Sequence, residues 1–118
     1  MELDVFVKQM KSKIDLSILK SKHRKRLIQK SLEICKDNKI GHYNQIIVME
    51  ELAELSKEVS KFVRLKGNRD ALLEEMADVL IGIDYLKEIH NISNEELDKA
   101  IAIKLYRLKH AQSKGEYK

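Results

Sequence analysis

The chain reads as an all-α protein, a bundle of four to five helices, and three features say so. Proline is absent from all 118 residues, so nothing deletes a backbone donor inside a helix. Charged residues make up 36% and hydrophobic ones 43%, a balance suited to amphipathic helices with ion-rich outer faces. Segments 43–65 and 70–90 repeat apolar residues at alternating steps of four and three, and no strand-like alternation competes with them.

The elements follow in order. Over about 3–36, Phe6, Met10, Ile14, Leu19, Leu27, Ile28, Leu32 and Cys35 form a helical pattern that breaks near Asp15-Leu16-Ser17, where a new helix can be capped. Asp37-Asn38-Lys39 and Gly41 mark a turn. In 43–65, Val48, Leu52, Leu55, Val59 and Phe62 fall on one narrow stripe that predicts a core face. Gly67 is expected to supply a left-handed C-terminal cap, and Asn68 or Asp70 to open the next helix. Leu72, Met76, Val79, Ile83 and Leu86 form the same stripe in 70–90. Ser93 and Glu96 make a capping box for the last helix, with Ile92 and Leu97 at hydrophobic-staple spacing. That helix continues through Ile101, Leu105 and Leu108. The organisation is a basic helical extension over 1–42, a helical core over 43–112 and a polar tail over 113–118, all within one compact domain.

Composition excludes several classes. Six aromatic residues are too few for stacking platforms that hold single-stranded nucleic acid. No apolar run approaches the ~20 residues of a membrane-spanning helix, and the mixed charges of 1–10 lack a secretory layout. Cys35 is the single cysteine, so neither an intrachain disulfide nor a cysteine-built zinc site is expected. These observations predict a cytoplasmic protein with no membrane partner. Charge is uneven: residues 1–43 carry 11 Lys/Arg against 5 Asp/Glu, whereas residues 44–118 carry 12 against 14. The run Lys20-Ser21-Lys22-His23-Arg24-Lys25-Arg26 suits either a solvated helix face or a polyanion partner.

The two central segments share more than periodicity. Shifted by 24 residues, 48–55 lies over 72–79 with acid on acid at three positions and apolar on apolar at five. At 100° per residue, Glu51 and Glu54 fall at about −60° and −120° from Val48, and Glu75 and Asp78 at the same angles from Leu72. Each pair sits at i, i+3 on the shoulder of a core stripe. Packing the stripes together would bring four carboxylates to the edge of one interface. Glu58 extends the first cluster at about −80°, and Gly82 at the matching position is expected to leave room beside the acids. Converging carboxylates repel and lose hydration, which calls for a compensating cation. Hard oxygen donors suit Mg²⁺, above all where a substrate brings phosphate oxygens. The competing reading pairs these glutamates with lysines such as Lys57 and Lys61 on solvated faces. A di-iron carboxylate site lacks the histidine three residues after a glutamate.

Glu51-x-x-Glu54, followed after 20 residues by Glu75-x-x-Asp78, resembles the ExxE…ExxD signature of the MazG-like all-α NTP pyrophosphohydrolases, relatives of dimeric dUTPases. The strings 45–55 and 74–81 look like the phage and bacterial branch of that family, and Ile103-Lys104-Leu105-Tyr106-Arg107-Leu108 is similar to its basic last-helix segment. The resemblance covers about residues 43–110. It implies cleavage between the α- and β-phosphates, giving a nucleoside monophosphate and pyrophosphate. It also implies that Glu51, Glu54, Glu75 and Asp78 hold Mg²⁺, with Mn²⁺ as a substitute, and that Glu50, catalytic beside Glu51, helps bind metal or orients the attacking water. Lys57, Lys61, Arg64, Lys104 and Arg107 are candidates to neutralise phosphate charge, arginine by bidentate contacts. Gln45, which both donates and accepts, is a candidate for a base edge. The resemblance further implies a homodimer or homotetramer whose subunits complete one another's sites.

Two rivals differ in class. A nucleic-acid-binding module would use the 20–26 run and bind in a salt-sensitive way. A helical protein-interaction module would use the acids for solubility only and gain no stability from Mg²⁺.

Overall fold

A computed structural model describes residues 3–34 and 41–113. Five α-helices and one 3₁₀ turn make up the described chain: α1 (Leu3–Lys11), the 3₁₀ turn (Leu16–Leu19), α2 (Ser21–Ile34), α3 (His42–Val63), α4 (Arg69–Ile89) and α5 (Asn94–Ser113). Among the described residues there is no strand, so the all-α expectation holds. The expected turn at Asp37-Asn38-Lys39 and the position of Cys35 lie outside them, as does most of the polar tail.

Local chemistry sets the boundaries. The break near residue 15 is real: the Asp15 carboxylate accepts from the Ser17 N–H at 2.9 Å and caps the 3₁₀ turn before α2 begins. Asn68, not Asp70, opens α4, accepting from the N–H groups of Asp70 and Ala71 at 2.9 and 3.1 Å. Ser93 caps α5 as expected, its hydroxyl accepting from the Glu96 N–H at 3.0 Å.

The close of α3 departs from expectation. The left-handed residue is Leu65, at φ 60°, and not Gly67. Lys66 N–H donates to the Lys61 carbonyl at 2.8 Å and Leu65 N–H to that of Phe62 at 3.0 Å, the paired bonds of a Schellman cap. Gly67 serves space instead, because a β-carbon there would run into the Phe62 ring. α4 closes in the same way through Asn91, at φ 54°, with Ile92 N–H donating to Lys87 C=O at 2.8 Å.

α4 is the hub. It packs along α3 and also receives α1 and α2, while α2 carries the 3₁₀ turn. Gly41, at the start of α3, lies against Ile89 at the end of α4. At mid-length Gly82 meets Val48, whose γ-carbon would sit 3.2 Å from an added β-carbon. Gly82 therefore allows close helix approach; the space expected beside the acids is filled by Val48. Arg24 pairs with Asp84, and Lys25 with Glu88 at 3.9 Å, which ties α2 to α4.

The buried core is thin. Among the described residues, Ile28, Val48 and Val79 are the buried apolar ones, each worth about 1.5–3 kcal/mol. The stripe on α3 is only partly covered: Leu52 and Val59 are each 49% exposed. α5 makes no extensive contact with any other helix, and its Ile101, Leu105 and Leu108 stay exposed. The radius of gyration is 17.1 Å, where a compact chain of this length has about 13.5 Å. No described helix is long and apolar enough to cross a membrane.

Candidate metal centre

The α3–α4 hairpin builds the centre. Its two caps, the Schellman turn at Leu65 and Asn68, fix a short antiparallel connection. With Val48 set against Gly82, Glu51 on α3 comes opposite Glu75 and Asp78 on α4. One carboxylate oxygen from each of these three residues lies within 4.8 Å of the others, and all three side chains are half-buried. Glu75 Oε2 is fully buried and has no hydrogen-bond partner.

The electrostatics follow from that crowding. Desolvation is the largest influence on Glu51, followed by the charge of Asp78, and together with Glu75 they push its pKa up to about 7. Glu75 is also raised, first by desolvation and then by Asp78, Glu54 and Glu74, while a hydrogen bond from Glu51 opposes the rise. Burial and neighbouring like charge therefore favour the protonated forms of Glu51 and Glu75 over full ionisation. Three convergent carboxylate oxygens, with an unpartnered oxygen on Glu75, could hold a hard divalent cation.

The remaining expected site residues divide. Glu54 is exposed and lies outside the three-oxygen group, although it is near enough to raise the Glu75 pKa. Glu50 is exposed, about 100° round the helix from Glu51. Lys61 is tied to Glu58 at 3.1 Å. Lys57 is exposed, and Arg64 is the exposed C-cap of α3, where its side chain bonds the Ser60 carbonyl. Lys104 and Arg107 ride on α5, exposed. Gln45 accepts from the His90 ring nitrogen at 2.9 Å and lies on the opposite shoulder of α3 from Glu51, which turns it away from the acids. Glu74 is half-buried and acts on Glu75; its alignment with Glu50 was the one signal for it. The pairing of Arg24 and Lys25 with α4 had no signal within α2 itself.

Comparison with models of known families, with curated proteins and with solved structures found no match.

Proposed function

We propose that the chain is a Mg²⁺-dependent nucleoside triphosphate pyrophosphohydrolase that cleaves between the α- and β-phosphates. The observation that carries this reading is the convergence of Glu51, Glu75 and Asp78 from two helices, with an orphaned oxygen on Glu75. Acids that merely solubilise a helix face would point into water and find lysines. These three point at one another in a half-buried seam, at an energetic cost that a cation offsets. The ExxE…ExxD spacing supplies the substrate class by resemblance.

In this reading Glu51, Glu75 and Asp78 would hold the ion. Mg²⁺ bound there supplies charge neutralisation for the phosphates and a lowered pKa for water. Glu54, exposed and one turn from Glu51, accepts a hydrogen bond from water arriving on the open side. Glu50, further round the helix, is less well placed for the role the resemblance gives it. Lys104 and Arg107 act on phosphate in trans, since α5 packs extensively against no described helix of its own chain. A homodimer or homotetramer accounts for the exposed apolar residues of α5 and α3. The chain exposes 9985 Å², against about 6,600 Å² for a compact monomer of its mass, and the excess matches a large subunit interface. Arg24 and Lys25 spend part of the charge of the 20–26 run on Asp84 and Glu88, which counts against nucleic acid as its partner.

The test is pyrophosphate release from a panel of NTPs and dNTPs, with Mg²⁺ and with EDTA, for the wild type and Glu51→Gln. Release that needs Mg²⁺ and vanishes in the variant is expected. A folded, oligomeric protein that releases none from any nucleotide would contradict the reading.

A further inference from the structure

Glu58 is the least expected residue in the hairpin. It is 9% exposed, yet it carries a charge at an interface where an apolar side chain of similar volume would cost no desolvation. Its Oε1 accepts from Lys61 Nζ at 3.1 Å, while its Oε2 is fully buried with no hydrogen-bond partner. The pair is therefore poorly explained as a source of stability. A helical side chain leans toward the helix N-terminus, and on α3 that direction is the direction of Glu54 and Glu51. The bond to Glu58 draws the Lys61 ammonium back by about one turn, or ~5 Å along the axis. On the wheel drawn from Val48, Lys61 falls at about −140°, on the same shoulder as Glu54, and its side chain is 37% exposed. Lys57 is exposed and carries no such tether.

We propose that Lys61, positioned by Glu58, receives the terminal phosphates of the substrate and so selects polyphosphates over monophosphates. The proposal rests on the reading of the hairpin as a nucleotide site, and it gives the substrate a direction. The pyrophosphate end lies toward the turn at residues 64–68, and the nucleoside end lies toward the C-terminal half of α4. Lysine acts here as a point charge with three donors, one spent on Glu58 and the others free for phosphate oxygens. Glu58 is a positioning residue, since it touches Lys61 and not the phosphate.

The experiment compares the wild type with Lys61→Met, Lys61→Arg and Glu58→Gln in the full chain. Mn²⁺ binding is read by the paramagnetic resonance of free Mn²⁺. Calorimetry in the presence of Mn²⁺ reads the affinities for inorganic pyrophosphate and for a nucleoside monophosphate. Mn²⁺ affinity is expected to stay within twofold for all three variants. Pyrophosphate affinity is expected to fall at least tenfold in Lys61→Met, to recover to within threefold in Lys61→Arg, and to fall severalfold in Glu58→Gln. Monophosphate affinity should not move. Wild-type pyrophosphate affinity in Lys61→Met, beside intact Mn²⁺ binding, overturns the proposal alone, and wild-type affinity in Glu58→Gln overturns the positioning role. A wild type that binds no Mn²⁺ removes the nucleotide-site reading and this proposal with it.

Discussion

The α3–α4 hairpin and α5 are built from similar material and meet opposite fates. All three helices are about 20 residues long and carry apolar residues at helical spacing, with charges between them. Within one chain, α3 and α4 bury Val48, Val79 and Gly82 against each other, whereas α5 buries no residue. Periodicity announces a face that will be covered; it does not say by which partner. The hairpin has its partner in cis because five residues and two well-formed caps join its helices. α5 follows an equally good cap at Asn91 and Ser93, yet it leaves the hairpin and offers Ile101, Leu105 and Leu108 outward. One region brings carboxylates together, and the other leaves its apolar residues open.

The contrast can be broken at either end. The largest effect is expected from Glu51→Gln, which should lower Mg²⁺-dependent pyrophosphate release at least about 100-fold, since it removes a charged ligand from the centre. The same substitution should raise the melting temperature in EDTA, because it relieves repulsion with Asp78 and Glu75. Next is the double substitution Ile101→Asp with Leu105→Asp. It should dissociate the proposed homo-oligomer in sedimentation and lower activity by about tenfold or more while Mg²⁺ binding by the hairpin survives, because hot-spot residues of an interface carry most of its energy. Loss of Mg²⁺ binding in that variant would mean that α5 also holds the hairpin together.

A pH series sharpens the hairpin side. The Glu51 pKa is raised in the folded chain to about 7 from an ordinary 4.5, so the native state binds this proton more tightly than the unfolded chain does. Its contribution to stability is complete below pH 4.5 and is lost as pH rises through 7. In EDTA the melting temperature should therefore fall by several degrees between pH 5 and pH 8. Mg²⁺ competes with the proton, so its stabilising effect should be larger at pH 8 than at pH 5. The smallest effects lie in the turn. Asn68→Ala should cost about 1 kcal/mol through the lost cap. Leu65→Gly, at an exposed left-handed position, should gain about 0.5–1 kcal/mol, measured by denaturant unfolding.

The acidic centre was legible because two constraints coincide in the sequence: i, i+3 spacing of acids and a core stripe beside them. Which acids meet was not. Glu51 and Glu54 stand about 60° apart on one shoulder of a helical wheel drawn from Val48, and the axial rotation and crossing of α3 on α4 decide which of them meets α4. That rotation is fixed by the Gly82–Val48 contact, which spacing alone cannot reveal. The left-handed cap was expected at Gly67 because glycine tolerates positive φ. The chain places Leu65 there because the register of the last α3 carbonyls decides the position, and Gly67 is required for the Phe62 ring. Glu58 was visible as an extension of the cluster and its i, i+3 spacing to Lys61 was legible too, but its burial depends on how closely α4 approaches. The ion pairs of Arg24 and Lys25 arise from tertiary contact between α2 and α4, about which a run of positive charge says nothing.

The central claim is that Glu51, Glu75 and Asp78 form one divalent-cation site, and thermal melting at pH 8 tests it most directly. Wild type and Asp78→Asn are melted in EDTA and across a Mg²⁺ titration. A saturable rise of several degrees is expected for the wild type and none for the variant, whose melting temperature in EDTA should already exceed that of the wild type. A wild-type melting temperature indifferent to Mg²⁺, or an equal rise in both proteins, would contradict it.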